Sequence, residues 1–365
     1  MKILFDLSHP AHYHLFKVFA RERSERGDTI AFAVKQKDVL LHLIEEIKGR
    51  HEVFIKTSVE KEKGMAADLK WLLENDLKLV GICRKFKPDL LLSTTFSAVH
   101  AGALLGIPNL FFLEDDFVRT HKLMRIVVPF TKGVICPVST RIEPFKGRIY
   151  QYSSYQELAY LHPEVFTPDP SVVSELERPY AILRLADLRA HHDTGRQGIT
   201  NEFVHTLLKR YEGKLKFYIS AERELPGELE SLRFPLHPSQ MHHALAHARI
   251  VMGDSATIMA EAAVLGTPAV YTGYFVGQRG YLDELENPYG LLFGITDYNE
   301  AKMIETIDRV LAEPETLYEE RRQAMLRQRY NPVPFFHWLV DNLPASLHLM
   351  QRDAAYEQKF LSQDE

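Results

Sequence analysis

Cysteine is scarce in this chain: two in 365 residues, Cys83 and Cys136. They are far apart and form no C-x-x-C pair. That excludes a disulfide framework and a cysteine-built zinc site, and reduced cytoplasmic thiols are the expectation. Long apolar runs are lacking too. No window approaches about 18 uninterrupted apolar residues, so no membrane span is expected. The opening MKILFDLSHP reaches Asp6 too soon for a signal peptide. Nor is there an excess of one charge: 44 Lys and Arg stand against 49 Asp and Glu, a net of −5. This excludes a nucleic-acid binder working through bulk charge and leaves room for a local basic site. G-x-G-x-x-G, G-x-x-x-x-G-K-[ST] and H-E-x-x-H are all missing. Gly253-Asp254-Ser255-Ala256-Thr257 lacks the second glycine of a nucleophile elbow. A dehydrogenase, a P-loop NTPase, a zinc protease and an α/β-hydrolase are thus disfavoured. Apolar stretches such as Ile126–Phe130 leave peripheral membrane contact open.

What is present is ordinary in bulk and ordered in detail. Apolar residues make up 45% and charged residues 25%, as in globular proteins, and the length suits about two domains. Strand-like and helix-like stretches alternate. Lys2–Leu7, Thr29–Val34, Glu52–Ile55, Leu90–Ser93, Asn109–Leu113 and Gly133–Cys136 read as strands. Helical periodicity fills the gaps, as in Leu15, Phe16, Phe19 and Ala20. The pattern weakens across the proline-bearing stretch 138–178 and resumes with strands at Tyr180–Leu185, Lys216–Ile219, Ile250–Met252 and Ala269–Tyr271. Alternation of this kind predicts an α/β protein of two Rossmann-like, doubly wound domains. We place them at 1–165 and 166–330, with a helical tail at 331–365 placed to pack back on the first. Two such halves put a ligand cleft between them, at the carboxyl ends of the strands.

Residues 250–271, IVMGDSATIMAEAAVLGTPAVY, carry the strongest signal. A strand ends at Met252, Gly253-Asp254-Ser255 turns, and a helix begins at Ala256. A helix start offers unpaired N–H groups and a positive dipole end to an anion. Small side chains at Ser255, Ala256 and Thr257 let a diphosphate approach the backbone. Glu261, further along the helix, is within reach of a sugar hydroxyl on the same ligand. The competing reading is a capped helix with a solvated glutamate.

The segment resembles the donor-site helix of GT-B glycosyltransferases and of non-hydrolysing UDP-N-acetylglucosamine 2-epimerases. There a D/S-S-G/A-x-x-x-x-E run followed by LG-x-P holds a nucleotide diphosphate and its ribose. The resemblance implies phosphate contacts for Ser255, Ala256 and Thr257 and a ribose contact for Glu261. Together, DLSHPAHYHLFK, LRLADLRAHHDTG and GDSATIMAEAAVLGTP resemble domain of unknown function family 354, which implies a GT-B-like fold. Related GT-B enzymes carry a histidine in the loop after the first strand, used by some inverting members as general base. His12, in Ser8-His9-Pro10-Ala11-His12-Tyr13-His14, matches it best, although the glycines of that loop are absent here. Imidazole chemistry suits removal of a proton from an acceptor hydroxyl; His9 and His14 are lesser candidates, equally suited to capping or packing.

Two more loops follow strands and so face the expected cleft. In one, Arg184 or Arg189 can clamp a diphosphate. There too His191, His192 and Asp193 can orient sugar or acceptor, or ligate a metal; GT-B relatives imply none. In the other, Glu114, Asp115 and Asp116 repel one another, which raises a carboxyl toward a usable base, with Asp116 the alternative to His12. His237, before Pro238-Ser239-Gln240, resembles the loop that meets the nucleotide base. The glycine-bearing Tyr274–Gly280 reads as a loop that closes over the donor sugar.

The expected function is glycosyl transfer from a nucleotide-diphosphate sugar, a substrate rather than a cofactor, to an unidentified acceptor such as a lipid-linked or polysaccharide one. Inversion is favoured because no convincing nucleophile is seen. One alternative is 2-epimerisation or hydrolysis of the same donor, although the epimerases' GTRPE-like run is replaced by SHPAH. Another is a non-catalytic nucleotide-sugar binder, which would not depend on His12.

Overall fold

A computed structural model describes residues 1–36, 38–45, 47, 49–56, 65–113, 115–117, 124–125, 127–143, 147–186, 198–274 and 276–361. The chain divides into two compact units, residues 1–160 with 330–365 and residues 161–329.

The first unit begins β1 (Lys2–Leu7), α1 (Pro10–Glu25), β2 (Thr29–Lys35), α2 (Asp38–Glu45), β3 (Glu52–Lys56) and α3 (Met65–Phe86). It continues with β4 (Leu90–Ser93), α4 (Phe96–Leu105), β5 (Asn109–Phe112), β6 (Gly133–Pro137) and β7 (Ile149–Tyr152). The chain passes out through the short α5 (Leu158–Leu161). All seven strands are parallel, in the order β3-β2-β1-β4-β5-β6-β7. Parallel strands are covered on both faces, and the pleat shares β1 between them. Leu4 joins Leu79, Cys83, Leu91 and Ala98 on one side. Phe5, of opposite parity, meets Phe16, Phe19 and Phe32 on the other. Burial pushes the Cys83 thiol up to about 12, and neither cysteine is in a disulfide.

The second unit holds β8 (Tyr180–Leu185), α6 (Asn201–Arg210), β9 (Lys216–Ala221), α7 (Gly227–Glu230) and α8 (Met241–Ala246). After these come β10 (Ile250–Gly253), α9 (Ala256–Val264), β11 (Ala269–Thr272), α10 (Gly280–Glu286), β12 (Leu292–Ile295), α11 (Glu300–Ala312) and α12 (Glu315–Leu326). Its five strands are also parallel, in the order β12-β11-β10-β8-β9.

Two strands escape the sequence reading. The proline-bearing stretch 138–178 contains β7, a four-residue edge strand of alternating burial. β12 contains Gly294, which breaks an apolar run that would otherwise signal a strand. The tail forms two helices, α13 (Pro332–Asp341) and α14 (Ala345–Arg352).

That tail is built into the first unit. Phe336 packs edge-on against Phe112 and Phe19, with ring centroids 5.2 and 6.1 Å away. Arg23 of α1 pairs with Asp28 and with Asp341 of α13. His337 Nε2 lies 2.8 Å from Glu22. Burial holds the His337 pKa below its ordinary value, against the opposing pull of Glu22. His51, His162 and His247 are lowered by burial as well.

These shifts fix the sign of an acid effect. Below about pH 6.5 the unfolded chain takes up protons that the folded histidines resist, so stability falls as pH falls. The thermal midpoint should therefore drop between pH 7 and 5.5, and His337→Gln should flatten part of that slope in a calorimetric pH series.

Candidate functional site

In an open parallel sheet the crevice lies where neighbouring strands send their chains to opposite sides. Each unit has one such point: between β1 and β4 in the first, and between β8 and β10 in the second. Candidate residues occupy both.

At the first point, Pro10 opens α1 and His9 caps it, its Nδ1 accepting from the Ala11 N–H at 3.2 Å. Proline at a first helical position is preorganised for such a start. His12 lies one residue further on. Thr94, in the turn after β4, brings its Oγ1 2.5 Å from His12 Nδ1, and the Ser8 N–H is 3.3 Å from the same nitrogen. The Ser8 N–H can only donate, so Nδ1 is the acceptor in this contact and the neutral ring carries its proton on Nε2. Beneath this contact lies a buried ion pair. Asp6, fully buried, bonds the Lys56 ammonium and accepts from the Thr95 hydroxyl. Ser93 Oγ accepts from the Thr95 N–H at 2.7 Å. Charges so deeply buried require such partners, and here they fix the turn that carries Thr94. His14 stands apart from the group, stacked on Tyr160 at 5.1 Å.

Asp116 is only 2% exposed. It accepts from the Arg141 N–H at 3.0 Å, with the Arg141 guanidinium 3.6 Å away. Glu114 lies outside the described residues.

At the second point, Gly253 ends β10 with φ +155°, and a Cβ there would stand 2.1 Å from the Arg184 carbonyl oxygen. Only glycine fits so close a crossing. Asp254 does not cap α9. Its Oδ1 accepts from the Ala186 N–H at 2.6 Å, and the Ile199 N–H bonds the same carboxylate. Asp254 thus fastens both ends of the stretch 187–197. Burial raises its pKa, and these bonds oppose the rise. Ser255 is the N-cap residue of α9 and makes no side-chain capping bond. Glu261, five residues into the same helix, is 3% exposed and lies 3.2 Å from His242 Nε2. That removes the solvated-glutamate reading.

Arg184 turns toward β9, bonding Ser220 Oγ at 2.8 Å and pairing with Glu222. His237 caps a short 3-10 turn in a reciprocal box with Gln240 and contacts Ser239. Arg189, His191, His192 and Asp193 lie outside the described residues. So does residue 275 of the Tyr274–Gly280 loop, within which Gln278 bonds the Tyr274 carbonyl. Sequence reasoning missed Asp6, Lys56, Thr94 and His242. A lone acid closing an apolar strand was a readable signal for Asp6. Nothing local marks Thr94 or His242, whose partners are distant in sequence.

Comparison with solved structures gives the fold. UDP-GlcNAc 2-epimerase from Neisseria meningitidis, bound to UDP-GlcNAc, is similar over 94% of this chain and 100% of its own, at 15% identity and TM-score 0.68. The S. aureus MnaA–UDP structure aligns over 100% and 99%, at 12% identity and TM-score 0.63. The calicheamicin glycosyltransferase CalG4 aligns over 97% and 99%, at 15% identity and TM-score 0.58. The chain has the α/β fold of these GT-B proteins. No family model and no curated protein matches it, so the resemblance to domain of unknown function family 354 rests on its three segments. Among the described residues no helix is long and apolar enough to cross a membrane.

The close crossing at Gly253 can be tested directly. Gly253→Ala should cost more than about 3 kcal/mol of stability by urea denaturation, since backbone has to move. Gly81→Ala, in α3 with nothing within 4 Å of the new methyl, should instead gain up to about 1 kcal/mol.

Proposed function

We propose that the chain is a glycosyltransferase of the GT-B kind, moving a sugar from a nucleotide-diphosphate donor to an acceptor hydroxyl. The observation that carries this reading is α9, whose start at the β8/β10 crossing lacks a side-chain cap and whose fifth residue beyond is a buried, histidine-paired glutamate. In this reading the N–H groups at Ser255, Ala256 and Thr257 take the diphosphate and the helix dipole stabilises the departing charge. Glu261 takes the ribose. His12 removes the acceptor proton, with Thr94 Oγ1 against its ring. Asp116 remains the alternative base, its carboxylate accepting from the Arg141 N–H. Arg189, His191, His192 and Asp193 stay in the proposal through their position after β8, and inversion is the expected outcome. The fold is shared with glycosyltransferases and with 2-epimerases alike, so epimerisation of a UDP-sugar is the second reading.

Thermal unfolding with UDP, GDP, dTDP, CMP and ADP and their sugar conjugates at about 1 mM tests the donor site. A ligand binding near 10 µM adds about 2.7 kcal/mol and moves the midpoint by several degrees. Glu261→Ala should abolish the shift; no shift with any compound would sink the reading. Once turnover is found, His12→Ala should lower it about 10²- to 10⁴-fold with the ligand shift intact. Thr94→Val should lower it less. Release of free nucleoside diphosphate supports transfer or hydrolysis, whereas a sugar epimer still joined to UDP supports epimerisation.

A further inference from the structure

We infer that His242 is a positioning residue of the nucleotide site. It holds the Glu261 carboxylate in the orientation that receives the adjacent 2′- and 3′-hydroxyls of a nucleoside ribose. The inference rests on the ribose reading of Glu261 given above and adds a residue that acts through it.

Glu261 is an anomaly in its helix. Its neighbours in α9 are Met259, Ala260, Ala262, Ala263 and Val264, all buried. A carboxylate in such a setting is costly unless it is bonded, and apolar side chains of similar volume commonly replace a buried charged pair without loss. Packing alone therefore gives no reason for Glu261.

Its partner is placed with little freedom. His242 lies on α8, its side chain 8% exposed, with Nε2 3.2 Å from Glu261 Oε1. Phe166 meets the imidazole edge-on, with centroids 6.2 Å apart at 80°. The helix carrying it is fastened without the pair: the Tyr180 hydroxyl donates to the Ala244 carbonyl and the Thr267 hydroxyl to the Leu245 carbonyl, each at 2.7 Å. The contact is thus not needed to dock α8 against its neighbours. What it does is set an imidazole nitrogen against one carboxylate oxygen. A glutamate side chain otherwise has several rotatable bonds, and a ligand would have to order them on binding. A carboxylate offers roughly four lone-pair positions, and the His242 contact is made to Oε1. A prefixed Glu261 keeps acceptor capacity for a vicinal diol, where both hydroxyls gain charge-assisted bonds.

The test is a ratio, measured by titration calorimetry with UDP, ADP and GDP, each against its 2′,3′-dideoxy counterpart. Wild-type protein should favour the ribose form of its best ligand by at least about ten-fold, as expected for bonds to a charged group. His242→Leu should reduce that preference below about three-fold and leave dideoxy affinity within about two-fold of wild type. His242→Gln, whose amide N–H reaches the same oxygen, should restore most of the preference. If His242→Leu does not fold, His242→Asn, with its amide drawn back from Glu261, takes its place. A preserved ratio in these variants while Glu261→Gln loses it overturns the inference and spares the reading of Glu261. An equal loss of both ligands in His242→Leu also overturns it, since that marks collapse of the site. No ribose preference in the wild type overturns both.

Discussion

A strand buried on both faces has nowhere to display chemistry except its ends. β1 and β10 are such strands, with every residue of β10 and all but the first of β1 buried. The placement of the buried polar groups follows from that restriction. Polar groups collect where a carboxyl end meets the turn into a helix, and there they must satisfy one another. Asp6 illustrates the consequence. It cannot be solvated, so it takes an ammonium from β3 and a hydroxyl from the turn after β4. The same turn then has no freedom left to move Thr94 away from His12.

The two crossing points solve the same problem with different parts. In the first unit a salt pair stiffens a turn, and the turn aims a hydroxyl at an imidazole. In the second a single carboxylate, Asp254, binds backbone N–H groups, and a glycine lets β10 pass against the Arg184 carbonyl. Burial raises the Asp254 pKa, a sign that neighbouring bonds have not fully offset its desolvation. Both are rigid supports beneath groups that would meet a ligand. Rigid support is what a catalytic or binding constellation requires, because errors of a fraction of an ångström are costly there.

Most of the architecture was legible because hydrophobic periodicity reports burial directly. β1, β4 and β8 were readable to the residue, since their apolar runs begin and end abruptly. β7 and β12 were not, because an edge strand of four residues or one containing glycine carries too weak a pattern. The helix that follows β10 was legible through a local motif, with Glu261 on it. The groups that orient those residues were not. Thr94 lies 82 residues from His12, and His242 reaches Glu261 from another helix. No periodicity encodes such pairs. Arg184 and Asp116 show the converse: their chemistry was legible, but the partners that occupy them, Glu222 and Arg141, come from elsewhere in the fold.

Asp254 has one more consequence. By tying Ala186 to Ile199 it closes the span 187–197 at its base, whatever residues fill it. Closure entropy grows only slowly with length, about 0.6 kcal/mol for each doubling, and the sheet beneath does not depend on the contents. Ala186 and Ile199 stay joined through one carboxylate, so the anchor at the sheet is independent of the number of residues between them.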